Sequence, residues 1–195
     1  FLDTDPMEKE RGITIFSKQA VLPLETVELT LLDTPGHVDF SAEMERTLSV
    51  LDCAILVVSG SDGVQGHTHT LWRLLERYQV PTFLFINKMD LPGADRGELL
   101  ARLREQLDEG CADFLDRPAL YEQAALCDEG LLEDYLEHGS VPDAALTALI
   151  AQRKLFPCWF GSALRLEGVA DFLQGLEQYA PRPVYPAHFG ARIFK

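Results

Sequence analysis

Basic side chains are in short supply: 17 lysines and arginines face 31 aspartates and glutamates in 195 residues, a net charge of −14. So acidic a chain gains no long-range attraction to DNA or RNA. An RNA-rich partner would have to be met through local contacts or through other parts of a larger protein. Cysteine is scarce too. Cys53, Cys111, Cys127 and Cys158 are widely spaced, with no C-x-x-C pair and no histidine cluster beside them, which argues against structural zinc. Cys53 and Cys158 lie in apolar runs and read as buried free thiols of a reducing compartment, so the cytoplasm is the expected location. No apolar run approaches the length that spans a bilayer, and none of the chain reads as a signal peptide, so no membrane is expected.

What remains is an ordinary globular composition, 47% hydrophobic and 25% charged, in a chain long enough for one full domain with a second begun. The first residue is Phe1, inside a polar loop, and the last is Lys195, inside a strand-like run. A piece of a longer protein is therefore expected.

Apolar periodicity orders the chain as alternating strands and helices. Residues 13–22 and 26–32 read as an antiparallel pair joined through the turn at 23–25. Residues 41–51 read as a helix with Ser41 as N-cap. The continuous apolar runs 54–58 and 82–86 have the character of strands covered on both faces, separated by a helix over 67–78. Helical patterns follow at 96–108, 131–137 and 143–155, the last started by Pro142. A strand at 156–160 and a helix at 169–179 close the series, before the stiff Pro181-Arg182-Pro183. Such alternation predicts an α/β fold, a mostly parallel sheet with helices on both faces.

Three of these strands end in polar loops, and in a doubly wound sheet such ends converge on one crevice. The first is Asp33-Thr34-Pro35-Gly36-His37. Asp33 can hold Mg²⁺ through its water shell, Gly36 lets a backbone N–H approach a phosphate oxygen, and His37 stands where an attacking water needs orienting. An ordinary strand-to-turn connection fits that stretch alone equally well. The second is Asn87-Lys88-Met89-Asp90. A carboxylate such as Asp90 can accept side by side from an N–H and an exocyclic amine, an edge that guanine offers and adenine does not. Asn87 can tie neighbouring loops or reach the base, and the Lys88 stem can lie over the purine face. The third is Gly161-Ser162-Ala163-Leu164, where Ser162 and the Ala163 N–H complete the base pocket. Its small-residue turn carries weight only as the third member in this order.

With Arg11-Gly12-Ile13-Thr14 ahead of them, these motifs resemble the G domain of translational GTPases over nearly the whole chain. The elongation factor G branch, which includes the tetracycline ribosomal-protection proteins, fits best. The resemblance implies a P-loop GTPase-type sheet over residues 1–180, a linker at 181–187, and the beginning of a β-barrel second domain at 188–195. It implies that Thr14 and Asp33 serve Mg²⁺, that the Gly36 N–H contacts the γ-phosphate, and that His37 orients the hydrolytic water. Asn87, Lys88 and Asp90 would read guanine with Ser162 and Ala163 in support. GTP and GDP are the implied ligands, the ribosome the implied partner, and the protein an expected monomer that uses no DNA.

Two departures matter. The phosphate-cradling Gly-x-x-x-x-Gly-Lys-Ser/Thr loop and its strand are absent from these 195 residues, so the chain alone is expected to be poorly stable and to bind GTP weakly or not at all. The stretch 93–155 is more compact than in elongation factor G proper, which favours the ribosomal-protection type. A translocase is the alternative within the class, and a decayed, non-hydrolysing binding module the alternative outside it. An ATP-using enzyme on a similar sheet is disfavoured by Asp90. Of the remaining polar and aromatic features, His67 and His69 read as solvated helix-start residues, Trp72 and Trp159 as core or domain-contact aromatics, and 98–109 as an exposed acidic helix face.

Overall fold

The computed structural model describes residues 18–34, 41–182 and 188, and the chain divides into two compact units. In the first, β1 (Lys18–Pro23) and β2 (Glu28–Asp33) form an antiparallel two-stranded sheet in which Lys18 pairs with Asp33 and Pro23 with Glu28. β1 alternates between half-buried and exposed residues throughout, and β2 does so up to Leu31, the period of a strand with one covered face. Helix α1 (Ser41–Leu48) follows.

The second unit, Asp52–Pro183, carries the parallel sheet. Its strands are β3 (Ala54–Ser59), β4 (Thr82–Asn87), β5 (Cys111–Asp113) and β6 (Phe156–Phe160), in the order β3-β4-β6-β5. The connecting helices are α2 (Gly66–Arg77), α3 (Arg96–Gln106), α4 (Arg117–Ala125), α5 (Glu129–His138), α6 (Asp143–Ala151) and α7 (Val169–Tyr179). Strand β4 is buried from Thr82 to Ile86, as a strand with both faces covered must be. Its alternate side chains go to two cores. Leu84 and Ile86 join Trp72 of α2, Leu99 and Leu103 of α3, and Phe156 and Phe160. On the opposite face Phe83 stacks on Trp159, and Phe85 meets Phe172 of α7 at 5.2 Å between ring centres. Trp159 lies so close under α7 that a Cβ on Gly175 would stand 2.1 Å from its ring.

The predicted α/β architecture is the one observed. Both tryptophans are core residues, and α3 keeps Leu99 and Leu103 inside while Glu98, Arg102 and Glu105 face water. Strand β5 and helix α4 were not anticipated from the sequence. β3 is one edge of the parallel sheet: among the described residues no strand pairs with its outer side, where the Ser59 carbonyl accepts the Gly63 N–H at 2.8 Å, and on one face Ile55 and Val57 are exposed at 37% and 58%. All four cysteines are free, Cys111 and Cys158 fully buried and Cys53 half-buried.

Candidate functional site

The C-terminal ends of β4 and β6 lie side by side because the strands pair in parallel with Ile86 opposite Phe160. Their loops are then stitched together. Lys88 adopts a left-handed backbone (φ 65°), uncommon for a residue with a side chain. The turn is held from inside: the Asn87 carboxamide oxygen accepts the Lys88 N–H at 2.8 Å and the Ala163 N–H at 2.8 Å. The Met89 N–H donates to the Gly161 carbonyl at 3.0 Å, and the Gly60 N–H donates to the Asn87 carbonyl at 2.7 Å. Of the two roles open to Asn87 from the sequence, the structure shows it tying the loops.

The loop after β6 is equally fixed. Ser162 and Glu167 exchange both backbone hydrogen bonds at 3.0 Å, closing a tight turn over 163–166 in which Leu166 has φ 59°. Gly161 permits this turn, since a Cβ there would stand 2.2 Å from the Glu167 carbonyl. Ser162 is 1% exposed. Its hydroxyl makes no hydrogen bond of acceptable geometry, yet it stands close enough to Asp90 to be the main influence holding that carboxyl below its ordinary range. Partial burial opposes the shift, while the Asp90 backbone N–H and Arg165 add to it. Asp90 is therefore an ionised acceptor at neutral pH, its side chain 11% exposed, and Lys88 beside it is exposed. Asn87, Lys88, Asp90, Ser162 and Ala163 are thus brought together at the C-terminal ends of β4 and β6.

Sequence reasoning missed two arginines here. Arg165 brings its Nε to 3.3 Å from Asp90 Oδ2. Arg96, the first residue of α3, makes a two-pronged ion pair with the buried Asp113 of β5 and lies over the Phe160 ring at 5.0 Å. It fastens the helix leaving the Asn87–Asp90 loop to the strand entering the Gly161 loop. Only the pattern Asp95-Arg96 at a helix start hints at it in sequence.

Asp33 closes β2 in the first unit and is half-buried. Thr14, Gly36 and His37 lie outside the described residues, as does the part of the first predicted strand before Lys18. A carboxylate at a strand end suits Mg²⁺, which takes one or two protein carboxylates with waters and substrate phosphates for the rest. Among the described residues no cluster of three or more His, Cys, Asp or Glu side chains could hold a metal alone. The solvated reading of His67 does not hold: both its ring nitrogens are out of water without a hydrogen-bond partner. No helix among the described residues is long and apolar enough to cross a membrane.

A family model described as the elongation factor Tu GTP binding domain matches residues 1–182. Elongation factor G 1 of Geobacter sulfurreducens is 34% identical over 234 residues, covering 94% of this chain and 34% of its own. Elongation factor G 2 of Geobacter metallireducens is 32% identical over 233 residues, with 93% and 34% covered. A crystal structure from Thermus thermophilus is similar with a TM-score of 0.82 at 25% identity, over 92% of this chain and 34% of that one. The chain spans about a third of the length of these relatives. The aligned stretches exceed the 195 residues of the chain, so the relatives carry residues within them that this chain lacks.

Proposed function

The chain belongs to the elongation factor Tu GTP-binding domain family, and from that premise we propose that it is the guanine-reading part of a ribosome-associated GTPase of the tetracycline ribosomal-protection type. The observation that carries the proposal is the double acceptance at Asn87, which locks the loops of β4 and β6 together and leaves the ionised Asp90 carboxylate at the rim. That carboxylate takes guanine's N1–H and 2-amino group side by side, with the Ala163 loop as the third wall and the Lys88 stem over the base.

In this proposal His37 orients the attacking water and the Gly36 N–H meets the γ-phosphate. Thr14 and Asp33 hold Mg²⁺, which when bound neutralises charge on the β- and γ-phosphate oxygens. The β2 terminus and the loop after it form a switch released by hydrolysis, the ribosome is the partner, and the protein works as a cytoplasmic monomer. Residues 181–187 act as a linker between a nucleotide domain ending near 180 and a further domain. The compactness of the stretch between Gly93 and Leu155 supports the ribosomal-protection type.

The test uses the protein at its natural full length in cell-free translation stalled by tetracycline. Rescue that needs GTP and disappears in His37→Ala is the expected outcome. Failure to rescue, with activity in a reaction lacking elongation factor G, would identify a translocase instead. Inactivity in both would leave a binding module.

A further inference from the structure

We infer that Arg165 is a specificity-determining residue of this pocket: a guanidinium latch that occupies one oxygen of the Asp90 carboxylate when no base is present and must swing aside for guanine. The inference rests on the guanine reading of Asp90 and deepens it. Arg165 Nε lies 3.3 Å from Asp90 Oδ2. The two ends of the pair differ in freedom. Asp90 is confined, with its side chain 11% exposed and the buried Ser162 beside it. The Arg165 backbone is pinned, because its N–H donates to the Ser162 carbonyl at 3.2 Å within the turn that Ser162 and Glu167 close. Its side chain is nonetheless 58% exposed and has open water to move into. The anchor is rigid and the arm is loose.

A guanidinium is a planar group with adjacent donors, the same presentation that guanine makes with its N1–H and 2-amino group. Guanine needs both carboxylate oxygens of Asp90. Hypoxanthine, which lacks the 2-amino group, needs only one and can bind with Arg165 still in place. Arg165 therefore disfavours guanine and spares hypoxanthine, narrowing the difference between two bases that Asp90 alone would separate more widely. Because the pair is partly exposed, the effect is modest and weakens as salt screens it.

The experiment measures GDP and inosine diphosphate dissociation constants by calorimetry on the full-length protein and on Arg165→Gln. The variant is expected to bind GDP about three- to fivefold more tightly, with inosine diphosphate unchanged. In the unaltered protein, the guanosine-over-inosine ratio should rise with ionic strength, a measurement that does not depend on how the variant folds. Arg165→Gln that weakens GDP, or that shifts both nucleotides equally, overturns the latch while leaving the guanine pocket standing. No binding of GDP by the unaltered protein overturns the pocket and the latch together.

Discussion

Asp90 is ionised in the folded chain below the pH at which a free aspartate takes up its proton, chiefly through the Ser162 hydroxyl. Its acceptor capacity is therefore in full force above the ordinary carboxylate pKa and is lost only as pH falls through the depressed value. On the proposed guanine reading, exchanging that acceptor pair for a carboxamide should change the base rather than the fold. Asp90→Asn presents one acceptor and one donor, which suits xanthine, whose C2 carbonyl replaces the amino group of guanine. The expected result is a roughly hundredfold loss of GDP affinity with a gain for xanthosine diphosphate, read by competition binding. At the other end of the scale Cys53 is pushed up to about 11, first by burial and then by neighbouring Asp52. A thiol whose folded pKa exceeds its unfolded 9.0 stabilises the fold below pH 9 and loses that contribution as pH rises towards 11. Alkylation of Cys53 by iodoacetamide should accordingly stay slow at pH 9, where a free thiol is half ionised. Rapid labelling there would contradict its burial.

At the scale of elements, α7 depends on a residue with no side chain. Gly175→Ala drives a methyl group into the Trp159 ring, and overpacking of this kind costs about 1–3 kcal/mol. A lowered urea midpoint with an unchanged slope is the expected reading. The elements that periodicity foretold are those long enough to show a period: β4 with its continuous burial, α3 with Leu99 and Leu103 four apart, and α7. Strand β5 is three residues, Cys111 to Asp113, too few for any alternation to register. Helix α4 is weakly amphipathic, and its signal lay in its start. Asp116 accepts the Ala119 N–H at 3.3 Å and Pro118 sits in the first turn, the pairing that begins helices. The meeting of the β4 and β6 loops was legible because Asn87 to Asp90 and Gly161 to Ala163 are contiguous words in the sequence, each at the end of a strand. Arg96 was not, since its partner Asp113 stands 17 residues away on a strand too short to predict. Arg165 escaped for the same reason, being paired across two loops.

On the scale of the whole molecule, the 195 residues hold the proposed base-reading loops without a Gly-x-x-x-x-Gly-Lys-Ser/Thr phosphate loop. Base contacts alone supply a fraction of a nucleotide's binding energy, so this chain taken by itself should bind GDP more weakly than micromolar. A submicromolar dissociation constant by calorimetry would refute that. The open edge at β3 has a separate consequence, in the test tube. Ala54 to Ser59 is a six-residue segment without proline, glycine or charge, β-branched at three positions, and no strand pairs with its outer side among the described residues. Such a segment is a template for its own kind: identical strands can stack upon it through the same hydrogen bonds that join β3 to β4. The isolated chain should cloud on storage and raise thioflavin fluorescence, while Val57→Lys, which sets a charge on the exposed row, should keep it clear. An edge that lends order to β4 on one side can, on the other, become the seed of a fibre.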